Sequence, residues 1–198
     1  VVLLSGCSGP ISLSASDYMS LLASDQMLRT QVAGANLKAL NEKYDMYELK
    51  ENNDYYKMTE DLSHNINSDL DFKVHYINSS VVNALYVGNG HIILFEGLLE
   101  RLDDKQAAAV IAHEMGHGLN NHIVESIRSR VGYKITNEVL KDMNVDKTAR
   151  SMGLYFLRNG FSREDEKEAD LTSLQIMKKS GYDPYLAVEV MQVLDEMQ

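Results

Sequence analysis

The segment His113-Glu114-Met115-Gly116-His117 stands directly after Gln106-Ala107-Ala108-Ala109-Val110-Ile111-Ala112, and no other feature restricts this chain so tightly. Alanine has the highest helix propensity of all residues, so the run predicts a helix from about Asp104 to His122. On it His113 and His117 lie about 40° apart in azimuth and one turn apart in height, so both imidazoles project toward one point. Two such donors can grip a single metal ion. Glu114, about 100° around the helix from His113, can stand beside the ion without binding it and take a proton from a metal-bound water. A zinc ion that acts on a substrate needs three protein donors and an open position, so a third donor has to come from elsewhere.

Ile123 and Asn120 occupy the places where the metzincin pattern requires His and Gly. His122 would lie about 140° around the same helix from His117 and is not expected to be a ligand. His64, His75 and His91 are isolated in sequence and read as surface or structural residues. The stronger candidate lies in Ser162-Arg163-Glu164-Asp165-Glu166-Lys167-Glu168-Ala169-Asp170-Leu171. Ser162 suits an N-cap, and the acidic residues suit the first turn of a helix. A solvated helix start does not require Glu166 and Asp170 to share one face at i, i+4 just ahead of Leu171, Leu174 and Ile176. A carboxylate ligand followed one turn later by an Asp that orients a ligand histidine is an arrangement metal sites use. Glu166 is therefore expected as the third ligand and Asp170 as the orienting group, in preference to Glu164 and Glu168.

The formal net charge is −10, which excludes a nucleic-acid surface, since phosphate binding needs a concentrated excess of Lys and Arg. No stretch approaches the run of about 20 apolar residues that spans a bilayer. The opening Val1-Val2-Leu3-Leu4-Ser5-Gly6-Cys7 reads as the end of a signal peptide running into a lipobox, with Cys7 expected to carry a lipid anchor. Residues 1–7 are then a signal-peptide remnant, and 8–198 one domain large enough to bury a core. Cys7 is the only cysteine, so thiolate zinc sites and intrachain disulfides are excluded. Ser8 after it favours the outer membrane if the source is a Gram-negative bacterium.

The fold class predicted is α+β, mainly helical with a small, largely antiparallel sheet. Apolar spacing predicts helices over Ser16 to Tyr44, Asn53 to Ile66 and from Tyr185 onward. Three β-type runs, Phe72 to Ile77, Val81 to Val87 and His91 to Phe95, lie between, and Gly88-Asn89-Gly90 is a hairpin signal.

Together with Asn83-Ala84, Gly88-Asn89-Gly90-His91-Ile92, Gly97-Leu98-Leu99 and Gly181-Tyr182-Asp183-Pro184, these motifs make the chain resemble the HtpX-like zinc metallopeptidases, peptidase family M48, and most closely their bacterial lipoprotein members. The similarity runs from about Asp71 to Tyr185. It implies a zincin-like fold of the gluzincin type, one zinc ion held by His113, His117 and Glu166, Glu114 as general base and Asp170 beside the ligands. Many relatives have a His-Pro segment beyond the final helix that can cover or ligate the metal. This chain stops at Gln198 before it, and is expected to be truncated there.

The function expected is endopeptidase cleavage of unfolded or misfolded envelope proteins on the periplasmic side, with Asn83 and Ala84 pairing with an extended substrate by strand addition. The competing reading is a zinc-containing, chaperone-like lipoprotein that binds such proteins with little or no cleavage.

Overall fold

The structure is a computed structural model and describes residues 24–136 and 160–195. Cys7, the lipobox and the Ser16 helix start lie outside the described residues. The first described helix, α1 (Asp25–Lys43), is capped by Ser24, whose side chain accepts a hydrogen bond from the Met27 N–H at 3.2 Å. Gly34 does not bend it to an end. After strand β1 (Met46–Glu48), Asn53 caps α2 (Asp54–Ser63), which stops three residues before the expected Ile66.

Strands β2 (Lys73–Ile77), β3 (Ala84–Gly88) and β4 (His91–Phe95) fall on the three β-type runs, β3 starting three residues after the expected Val81, and β1 joins them in a four-stranded sheet of order β1-β2-β4-β3. The outer pairs, β1–β2 and β3–β4, are antiparallel, whereas the central pair β2–β4 is parallel, so the sheet is mixed. The cause lies in β4. Ile92 and Leu94 face one side and Ile93 and Phe95 the other, all of them buried, and a strand apolar on both faces belongs in the middle of a sheet. Residues 78–83 are long enough to carry the chain past that central place to the outer edge. There the Gly97 N–H donates to the Ser79 carbonyl at 2.9 Å, locking the crossing to the end of β4. Gly88, Asn89 and Gly90 all have positive φ, as the expected hairpin requires.

After the short α3 (Glu96–Leu99), Asp103 and Gln106 form a capping box that opens α4 (Asp104–Leu119). Ala107 to Ala112 are all buried, as befits a helix apolar on every side. It packs on the sheet face carrying Val74, Ile92 and Leu94, while α1 covers the opposite face through Leu37 and Leu40. The helix ends at Leu119 and not at His122. Asn121 takes φ 58, a left-handed conformation that asparagine tolerates and a continuing helix does not. His122 therefore opens a new helix, α5 (His122–Thr136). Two more follow, α6 (Arg163–Lys179) and α7 (Leu186–Asp195). No described helix is long and apolar enough to cross a membrane.

Candidate metal centre

The site is built where α6 crosses α4. Gly116 has no side chain to hold the helices apart, so the backbone of Ala169 lies directly against it. Ser162 and Asp165 form the capping box of α6, fixing its first turn. That close crossing brings Glu166, one turn before Ala169, over the histidines of α4.

One ligand atom each from His113, His117 and Glu166 lie within 4.8 Å of one another. His113 Nε2 and His117 Nε2 are 3.1 Å apart, and Glu166 Oε2 lies 3.2 Å from the former and 3.8 Å from the latter. Tetrahedral donors about 2.05 Å from one zinc ion would stand roughly 3.3 Å apart. The donor set therefore fits such an ion in both chemistry and spacing. Asp170 Oδ1 holds His113 Nδ1 at 2.9 Å, which leaves Nε2 of that ring directed at the other donors.

The electrostatics favour a cation here. Burial opposes charge on His113, but the hydrogen bonds to Asp170 and Glu166 and the nearby Glu114 outweigh it and push its pKa up to about 10. His117 is driven the other way, down to about 2, by burial and then by the neighbouring His113 and His122. It is neutral at any physiological pH, as a metal ligand must be. Glu114 is 8% exposed, and burial raises its pKa against the lowering effects of His113 and of the Tyr86 N–H, which donates to its carboxylate. A carboxylate tuned upward beside a cation site is suited to proton transfer.

Sequence reasoning missed the far side of His117. Its ring stacks on Phe161 at 4.0 Å between centroids, and its Nδ1 lies 2.9 Å from Nδ1 of His122. His122 lies outside the cluster of His113, His117 and Glu166, yet it is not turned away from it, because the break at Asn121 swings it back onto His117. The pair Asn120-Asn121 was the available signal. His75 and His91 are likewise not isolated: they meet across β2 and β4 at 2.8 Å.

The family model described as peptidase family M48 matches residues 49–197. The chain belongs to this family. Among relatives, the mitochondrial metalloendopeptidase OMA1 of Arabidopsis thaliana is 34% identical over 65% of this chain and 27% of its own length. The metalloprotease LoiP of Escherichia coli is 28% identical over 62% of this chain and 51% of its own. The chain thus spans between about a quarter and about half of these relatives. The crystal structure of S. mikatae Ste24p shares the fold with a TM-score of 0.53 at 17% identity, over 89% of this chain and 51% of that one.

In this M48 chain two hollows meet at the donors. The larger, of about 600 Å³, has mainly apolar walls that include Val82, Leu98, Val110, Val190, Met191 and Leu194. The smaller, of about 330 Å³, is lined by Tyr86, His117, Gly160 and Phe161. Asn83, Ala84, His113, Glu114 and Glu166 border both. Strand β3 is an edge of the sheet. Asn83 accepts from the Phe95 N–H on β4, so by antiparallel alternation Ala84 and Tyr86 turn their peptide groups outward. Tyr86 uses its N–H on Glu114, and the groups of Ala84 face the cleft.

Proposed function

We propose that this chain is the peptidase unit of a zinc-dependent endopeptidase, with His113, His117 and Glu166 as ligands of one zinc ion and Glu114 as the general base. The observation that carries the reading is the convergence of those three donors beside a buried carboxylate, at the border of a cleft edged by an open strand. When bound, zinc supplies Lewis-acid chemistry, polarising the scissile carbonyl and making water acidic enough to deprotonate near neutral pH. Glu114 takes the proton of the attacking water and returns it to the leaving amine. The Tyr86 N–H keeps the Glu114 carboxylate aimed during both transfers. The outward peptide groups of Ala84, with Asn83 beside it, pair with the backbone of an extended substrate by strand addition.

Pairing of this kind requires a substrate segment free of its own secondary structure, and the apolar walls of the larger hollow suit side chains that a folded protein keeps buried. We infer unfolded or misfolded polypeptides as substrates. The Leu4-Ser5-Gly6-Cys7 sequence supports a lipid on Cys7 and a place on the periplasmic side of a bacterial envelope, at the outer membrane where the source is Gram-negative. In this reading residues 8–198 form a single peptidase domain.

The apolar walls alone would equally suit a binding protein that holds such segments without cutting; the buried Glu114 beside the donors favours hydrolysis. Zinc analysis followed by casein digestion separates the two. Digestion that stops with chelator and with Glu114→Gln, while Glu114→Gln still binds zinc, is the expected result. Zinc without digestion in the wild type favours the binding protein, and digestion unaffected by chelator overturns the metal mechanism.

A further inference from the structure

We infer that His122 is the positioning residue of His117, setting its tautomer and ring orientation through a chain that runs from a carboxylate across one imidazole to the other. The inference rests on the reading of His117 as a zinc ligand. The geometry comes from two contacts at opposite ends of the His122 ring. Its Nε2 faces Glu168 Oε2 at 3.3 Å and Asp165 Oδ1 at 4.0 Å, both on α6. Ionised carboxylates only accept hydrogen bonds, so Nε2 carries the proton and the lone pair of the ring lies on Nδ1. That lone pair meets His117 Nδ1 at 2.9 Å. His117 Nδ1 must then be the donor, and its Nε2 presents a lone pair toward His113 Nε2 and Glu166.

The contact is locked. His122 is 2% exposed and His117 1%, so water does not compete for the bond, and Phe161 is stacked on the open face of the His117 ring. The two histidines of α4 are thus oriented by different means: His113 by Asp170 directly, His117 by a second imidazole that is itself held by Glu168 at the surface. Of the five acidic residues in the first two turns of α6, Glu166 is a donor, Asp170 the partner of His113, and Asp165 and Glu168 face His122.

The test uses the full chain, its His122→Leu and His122→Asn variants, and zinc alone as the probe. Asn places Oδ1 where His122 has Nδ1 and restores the acceptor; Leu removes it. Zinc affinity by chelator competition should fall about ten- to a hundredfold in His122→Leu, a loss typical of ligand-orienting partners, and stay within a few-fold of wild type in His122→Asn. Nitrogen NMR of the metal-free wild type should show His122 protonated on Nε2 and His117 on Nδ1, a readout that a merely space-filling His122 would not produce and that stands even if a variant fails to fold. Equal affinity in all three proteins, or a proton on Nδ1 of His122, overturns the inference while leaving the zinc reading intact. A wild type that binds no zinc overturns the zinc reading, and this inference with it.

Discussion

Gly116 and Ala169 touch so closely that a Cβ added at Gly116 would stand 2.7 Å from the Ala169 carbonyl oxygen and 3.0 Å from its Cα. Neither atom is the end of a flexible side chain, so Gly116→Ala has to push α6 away from α4. Overpacking of this kind costs about 1–3 kcal/mol. It also draws Glu166 back from the histidines. Thermal unfolding and zinc analysis together should show a destabilised protein with substoichiometric zinc; a variant with full zinc and unchanged stability would mean that the helix crossing does not set the site.

Asp170 acts on His113 at 2.9 Å and on neither of the other donors. Asp170→Ala should therefore weaken zinc binding by roughly ten- to a hundredfold while the fold is kept, since the Asp170 side chain is more than half exposed. Chelator competition measures the loss, and circular dichroism checks the fold.

His75 is 6% exposed, and its pKa is lowered to about 4, chiefly by burial and then by His91, itself lowered by burial. Its folded pKa lies below the unfolded value of 6.5, so the unfolded chain takes up the proton first as pH falls. The stability from a neutral His75 is whole above about pH 6.5 and drains away toward about pH 4. Between about pH 7.5 and about pH 5 the loss should be about 1–2 kcal/mol. Urea unfolding of wild type against His75→Phe reads the loss from His75 together with that of its contact with His91; parallel pH profiles would refute it.

Ala187 borders the larger hollow beside Val190 and Met191. Ala187→Phe should fill it without touching a donor. Digestion of peptides with bulky apolar residues next to the cut should fall at least tenfold, an effect of the size expected from altering an apolar pocket. Peptides with small residues there should be cut as before. An equal fall for both would show that the hollow does not select side chains.

What could be read ahead of the structure followed the reach of each physical signal. The α4 pair is local, since one turn of an Ala-rich helix dictates that His113 and His117 point together. Glu166 and Asp170 were legible because their i, i+4 spacing asks for a common partner. The hairpin at Gly88-Asn89-Gly90 was legible from the backbone conformations that glycine and asparagine allow. Strand order was not, because β4 enters between β2 and β3 for a reason that appears only when both of its faces are covered. Strand β1 escaped notice at three residues, too short for a periodicity. His122 was misplaced by one assumption, a helix continued through Asn121, and everything beyond that residue rotated with it. His75 and His91 are sixteen positions apart and become neighbours only through the parallel pairing.

The helix break at Asn121 and the long separation of Glu166 from His117 bear on timing. Two donors exist as soon as a single helix forms, but the third, and the groups that steer the first two, arrive with α6, so capture of the ion waits on the docking of helices made far apart along the chain. A newly made or partly unfolded copy is in that sense unarmed. On the reading proposed above, a copy whose helices have not yet docked cannot cut its neighbours before its own architecture is complete.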